Sequence, residues 1–167
     1  MNKKSLYAYI AQKSTRTPTK AMTSSITRVT NHVYIGSYDN ATNVSTWPVK
    51  FAYIVNASML KYTPPSADTV VVNIPVPDNT TVDLKQYFDS VAAFLEKCEK
   101  SAAPVLVHCV AGINRSGAMI MAYLLHTRCA SVPVLVFFLY AYHGLKDARG
   151  MFLENPSFRR QLVEHYF

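Results

Sequence analysis

Residues 104–109, PVLVHC, are a short and nearly continuous apolar run that halts at a cysteine. Residues 116–128, SGAMIMAYLLHTR, are apolar nearly all round. The first suits a strand buried on both faces, the second a buried helix. Only the loop VAGINR separates them. A buried strand that turns at once into a buried helix commits a chain to a layered α/β fold.

The flanking segments agree with that unit. HVYIGS (32–37), FAYIV (51–55) and VVVNIPV (70–76) are β-branched and aromatic runs bounded by turn residues, which predicts strands. VDLKQYFDSVAAFLEKCEKS (82–101) sets Leu84, Phe88, Val91, Leu95 and Cys98 at helical spacing, so Cys98 is expected in the core. VPVLVFFLYAY (132–142) is ambiguous, because strand-like propensity competes with a Pro133 that suits a helix's first turn. Residues 2–13 read as a short amphipathic helix with Leu6, Tyr9 and Ile10 on one face and Lys3, Lys4 and Lys13 elsewhere. Such a helix is marginal alone and needs a docking surface: its own domain, a second copy of the chain, or a membrane. STRTPTKAMTSSIT (14–27) reads as a linker.

A length of 167 residues, half of them hydrophobic, suits one globular domain. The longest apolar stretch, Val132 to Tyr142, falls well short of the ~20 residues that span a bilayer. The start, MNKKSLYAYIAQKS, lacks the apolar core and cleavage pattern of a signal peptide. The protein is therefore expected to be neither secreted nor membrane-spanning. Its three cysteines, Cys98, Cys109 and Cys129, make no close pair, which fits a reducing compartment. Neither CxxC nor HExxH occurs, so no metal site is expected. The net charge of +7 is uneven: residues 1–38 hold six basic residues and no acid, whereas residues 39–167 carry a net of only +1. A nucleic-acid-binding face would spread its charge over the fold, so no nucleic-acid partner is expected.

The loop after PVLVHC carries the chemistry. A loop entering a helix N-terminus turns several backbone N–H groups inward, and the helix dipole adds positive potential. Gly112 permits close approach of the backbone to an anion, and Gly117 permits tight packing of the helix start. Arg115 offers a planar fork for two phosphate oxygens. The same field favours a thiolate at Cys109. The other cysteines lack the arrangement: six residues beyond Cys98 is Pro104, and six beyond Cys129 is Leu135. The pattern is that of a phosphate site with a nucleophile in its floor. A buried structural cysteine before an ordinary glycine turn is the plainer alternative.

HCVAGINRSG resembles the signature of cysteine-dependent protein phosphatases. VYIGSYDNA, IPVPDNTT and ENPSFRRQL resemble the dual-specificity branch, and with the MNKKSLY start nearly the whole chain is similar to the poxvirus dual-specificity phosphatases. The resemblance implies that Cys109 is the nucleophile and that Arg115 holds the phosphate together with backbone N–H groups of Val110, Ala111, Gly112, Ile113, Asn114 and Arg115. Ser116 would donate to the cysteine sulfur as it departs, and His108 would support the loop. Of ten acidic residues the resemblance selects Asp78 as general acid. From the residues alone Asp78 is a turn aspartate, and its rival Asp83 precedes LKQYF, where a helix-start role is favoured.

The implied fold is α/β, a central, mainly parallel sheet with helices on both sides and an N-terminal helical arm. In it the phosphate loop lies at the carboxyl end of PVLVHC, and VPVLVFFLYAY becomes a helix. Residues 1–26 would be a dimerisation arm, exchanged between two protomers, and 27–167 the catalytic domain. No cofactor is implied. Substrates would be viral and host phosphoproteins, interferon-activated transcription factors among them, in the virion and the host cytoplasm. Asn79 stands where some relatives carry a second carboxylate. The loop interior lacks the basic residues common in inositol-lipid phosphatases, although Lys61, Lys85 or the basic arm offer charge to a lipid headgroup. The alternatives are a phosphoinositide phosphatase and an inactive phosphoprotein reader. Sulfur transfer and the low-molecular-weight phosphatases fit less well, the latter because their cysteine precedes their acid.

Overall fold

The computed structural model describes residues 2–14 and 23–167. Most of the expected linker, with Arg16 and Lys20, lies outside the described residues. Its last residues do not behave as linker. Thr23 N–H donates to the Arg149 carbonyl at 3.0 Å. Thr27–Arg28 form a first strand, β1, antiparallel to β2 (Val33–Gly36). The strand reading of this edge was not available from Ser/Thr-rich composition.

The sheet has five strands in the order β1-β2-β5-β3-β4, with β3 at Tyr53–Asn56, β4 at Val70–Asn73 and β5 at Val105–His108. All pairings except β1–β2 are parallel. β5 lies between β2 and β3 and is buried at every residue, which explains its unbroken apolar run. Alternate side chains serve two cores. Val105 and Val107 join Val33, Ile35 and Val55 on the thick side, and Leu106 and Ile54 join Ala41, Val44 and Phe51 on the thin one.

The thin side is closed by α2 (Tyr38–Thr42) and a 3-10 turn at Val44–Thr46. The thick side carries α3 (Lys85–Lys100), α4 (Arg115–Thr127), α5 (Val134–Arg149) and α6 (Pro156–Tyr166). α4 packs on α3, α5 and α6 as well as on β2 and β5, so only its last turn, at His126 and Thr127, reaches solvent. Cys98 is 2% exposed on the buried stripe of α3, as its spacing predicts. The ambiguous 132–142 segment enters α5. Phe138, Ala141, Tyr142 and Leu145 are buried at helical spacing, and that burial overrides the β-propensity.

The N-terminal helix α1 (Lys3–Ser14) packs on α6 of its own chain. Asn2 caps it, its side-chain oxygen accepting from Ser5 N–H at 2.8 Å. Leu6 and Ile10 are buried, whereas Tyr9, expected on the same face, remains 40% exposed. The Tyr7 hydroxyl donates to the Pro156 carbonyl at 3.0 Å.

Candidate active site

The loop from Cys109 to Asn114 joins the carboxyl end of β5 to the first turn of α4. Its carbonyls are drawn outward by the scaffold. Cys109 O accepts from His108 Nδ1 at 2.9 Å. Val110 O accepts from Tyr38 N–H, Gly112 O from Arg149 Nε and Ile113 O from Leu153 N–H, each at 3.0 Å. In a trans peptide the N–H points opposite to the C=O. The N–H groups of Val110, Ala111, Ile113 and Asn114 are thereby turned to the other side, into the concavity. Gly112 carries φ 71°, and a Cβ there would lie 2.5 Å from Gly36 O and 2.6 Å from Arg149 Nη2. Glycine is required both by conformation and by space.

Cys109 sits at the floor, 2% exposed, with its sulfur 3.2 Å from Ser116 Oγ. Burial pushes its thiol up, but the opposing influences together outweigh it. The Ser116 hydroxyl and N–H, the Arg115 charge and the Ile113 N–H bring the thiol below its ordinary range. A thiolate can only accept, so the Ser116 hydroxyl is then the donor. Arg115 is 8% exposed and anchors Nη1 on Val76 O at 3.0 Å. Its Nε is buried without a hydrogen-bond partner among the described residues. A buried guanidinium with a spare donor suits an oxyanion in the concavity.

His108 is fully buried, and its pKa is lowered to about 4 by burial and by the Arg115 charge. The ring is neutral at pH 7. Its Nδ1–H donates to a carbonyl, so Nε2 is the bare nitrogen and accepts from the Tyr62 hydroxyl at 2.7 Å. Burial raises the Tyr62 hydroxyl well above the usual phenol range, which keeps it a donor.

Asp78 hangs over the loop on the segment that follows β4, with its side chain at the surface. Its Oδ2 accepts from Asn114 Nδ2 and its Oδ1 from Asn155 Nδ2, both at 2.9 Å. Asp83 instead accepts from Lys85 N–H at 3.1 Å, at the start of α3. Asn79 turns its side chain onto Thr81 and Val82 N–H groups and shapes the same segment. Lys61 is exposed beside Tyr62, and Lys85 pairs with Glu164 at 3.0 Å, so only the former offers charge without a carboxylate partner among the described residues.

The folded chain thus gathers a low-pKa thiol, an arginine with a free donor, a ring of N–H groups and a carboxylate tied to the loop. Residues 33–167 match the family model described as dual specificity phosphatase, catalytic domain. The chain belongs to the dual specificity phosphatases. Over 167 residues this phosphatase is 53% identical to dual specificity protein phosphatase H1 of Variola virus, covering 99% of its own length and 97% of that relative. It is 46% identical over 166 residues to the probable dual specificity protein phosphatase H1 homolog of Fowlpox virus, covering 99% of each chain. Its fold is similar to that of OH1 from the Orf virus, described as a tyrosine phosphatase with triple substrate specificity. There the TM-score is 0.89 at 35% identity, over 98% of this chain and 96% of that one. The poxvirus resemblance of the signature and flanking motifs therefore extends over nearly the whole phosphatase.

Three residues of the site had no site role assigned from the sequence. Arg149, 1% exposed, closes α5 and grips the phosphate loop from behind. Tyr62 orients His108, and no local pattern marks it. Asn155 precedes a proline at a helix start, a legible cap signal, but its bond to Asp78 spans 77 residues of sequence.

Proposed function

We propose that this dual-specificity phosphatase hydrolyses phosphotyrosine and phosphoserine or phosphothreonine in viral and host proteins through a cysteinyl-phosphate intermediate. The observation that carries the reading is the depressed Cys109 thiol beneath a loop whose own Asn114 holds Asp78. The Cys109 thiolate attacks phosphorus, the bond from phosphorus to the leaving oxygen breaks, and Asp78 supplies that oxygen's proton. Arg115 and the N–H groups of Val110 to Arg115 hold the equatorial oxygens throughout, where charge accumulates. Water then attacks the phosphorus, Asp78 takes its proton, and the sulfur leaves as a thiolate accepting from Ser116. His108 stays neutral and carries the loop, since its pKa of about 4 makes it no acid at pH 7.

Several finer assignments belong to the same proposal. Residues 1–26 are a dimerisation arm, exchanged between protomers of a homodimer, ahead of a catalytic domain over 27–167. The phosphatase acts in the virion and host cytoplasm, with interferon-activated transcription factors among its host substrates. The support is its identity to poxvirus relatives over almost their full length and the α1–α6 contact, made within one chain here, which exchange would move onto α6 of the partner. No described helix is long and apolar enough to cross a membrane.

The deciding experiment measures phosphate release from phosphotyrosine, phosphothreonine and inositol-lipid substrates with wild type, Cys109→Ser, Asp78→Asn and Asp83→Asn. Release from both peptides is expected to vanish in Cys109→Ser. In Asp78→Asn alone it should fall by about 10²–10⁴. Binding without release by the wild type under reducing conditions would make the loop a reader. The triple substrate specificity of the Orf virus relative favours including the third substrate class. For the arm, removing residues 1–20 is expected to yield a monomer in sedimentation, and an unchanged dimer would overturn that assignment.

A further inference from the structure

An exposed aspartate that must deliver a proton faces an entropic problem. Free in solvent, its carboxylate would sample several rotamers, and a misplacement of about 1 Å can cost ~10²-fold in rate. In this phosphatase both oxygens of Asp78 are occupied by side-chain amides. Asn114 belongs to the phosphate loop and Asn155 to the N-terminus of α6.

The orientation of each amide follows from its other end. Asn155 Oδ1 accepts from Ser157 N–H at 2.9 Å and Phe158 N–H at 3.4 Å, capping α6. Asn114 Oδ1 accepts from Glu154 N–H at 2.8 Å and Asn155 N–H at 2.9 Å. Flipping either amide would set its NH2 against these N–H donors and its oxygen against the carboxylate, so the Nδ2 groups must face Asp78. Asn155 Nδ2 also donates to Asn79 O at 2.9 Å and thereby holds the backbone beside the acid. The two amides share a connection, because Asn155 N–H is itself bound by Asn114. Amides also suit the task chemically. They hold a carboxylate through neutral dipoles, which bind it less strongly than the full charge of a lysine or arginine would.

We infer that Asn155, together with Asn114, is a positioning residue for proton transfer, so that the start of α6 is part of the reaction machinery. The inference rests on the reading of Asp78 as the acid. Its test separates proton delivery from everything else by varying the leaving group. Phenolate needs a proton to depart, whereas 2,4-dinitrophenolate does not. Asn155→Ser keeps a good helix cap but cannot reach Asp78. Asn155→Asp keeps the cap and replaces the donor by an oxygen.

The kcat/KM values for phenyl phosphate and 2,4-dinitrophenyl phosphate would be measured for wild type, both Asn155 variants, Asp78→Asn and the Asp78→Asn/Asn155→Ser double variant. Both Asn155 variants are expected to lose about tenfold or more on phenyl phosphate and to stay within about twofold on the dinitrophenyl ester. The double variant should be no worse than Asp78→Asn, since Asn155 acts through that carboxylate. An equal loss on both esters, no loss on either, or additive losses in the double variant would overturn the inference while leaving Asp78 as the acid. Asp78→Asn that spares phenyl phosphate would instead remove the acid assignment, and the role of Asn155 with it. If the serine variant does not fold, the aspartate variant decides alone.

Discussion

Arg149→Met tests how the phosphate loop is held from behind. Arg149 is 1% exposed, and among the described residues the charge that acts on it is that of Cys109, with no carboxylate paired to it. Its Nε donates to Gly112 O at 3.0 Å, and its Nη1 reaches Thr27 Oγ1 at 2.9 Å and Ser25 O at 3.2 Å. Burial pulls the guanidinium's pKa down, and the charge that forms on Cys109 pulls it back. Methionine fills part of the volume and supplies no donor. The Gly112 carbonyl would lose its donor at a cost of about 1–3 kcal/mol, and the bonds to β1 and to Ser25 would add a similar amount. Relief of the buried cation's desolvation offsets part of this. A net loss of about 2–4 kcal/mol corresponds to a fall of roughly 5–15 °C in Tm for a domain of this size. By reciprocity, the missing cation also disfavours the Cys109 thiolate. Thermal melting and the pH profile of Cys109 alkylation by iodoacetamide check the two effects separately. The profile is expected to move to higher pH. An unchanged Tm would refute the packing argument, and an unchanged profile would refute the electrostatic one.

Gly112→Ala must adopt φ 71° and place its Cβ 2.5 Å from Gly36 O. The left-handed conformation alone costs about 1–2 kcal/mol, so kcat/KM should fall by about 10²-fold through displaced N–H groups; near-wild-type turnover would contradict the loop geometry. His108, lowered from 6.5 to about 4, binds its proton in the unfolded chain before it does in the folded one. Stability is therefore intact above pH 6.5 and is lost as pH falls toward 4, by about 2 kcal/mol already at pH 5. Urea unfolding of wild type and His108→Gln at pH 7 and 5 isolates this slope, and parallel slopes would count against a buried neutral imidazole. Tyr62→Phe leaves His108 Nε2 buried and unpaired, for a loss of about 1–3 kcal/mol in the same urea assay. Equal midpoints would show that Nε2 finds another donor.

What the sequence disclosed follows from contacts close along the chain. The buried strand, the loop and the buried helix are adjacent, so Cys109, Arg115 and Ser116 could be brought together on paper. The helical stripe that buries Cys98 is periodic within α3 itself. The 132–142 segment was undecided because its β-branched and aromatic residues suit either state, and the packing of Phe138 and Tyr142 made the choice. β1 was unreadable for the same reason. Two residues, Thr27 and Arg28, gain strand geometry only by pairing with Ile35 and Tyr34.

The sequence by itself determined the α/β class, the position of the nucleophile and the phosphate-binding loop, because strand, loop and helix periodicities and backbone requirements are local. Motif resemblance, rather than periodicity, singled out Asp78. Only the tertiary structure decided what holds these groups in place. Asp78 meets Asn155 across 77 residues, His108 meets Tyr62 across 46, and Arg149 meets Gly112 across 37. Each of these is a single directional hydrogen bond, and a single bond leaves no periodic trace in a sequence. Its partners become visible only when burial brings distant backbone segments together and leaves their polar groups in need of one another.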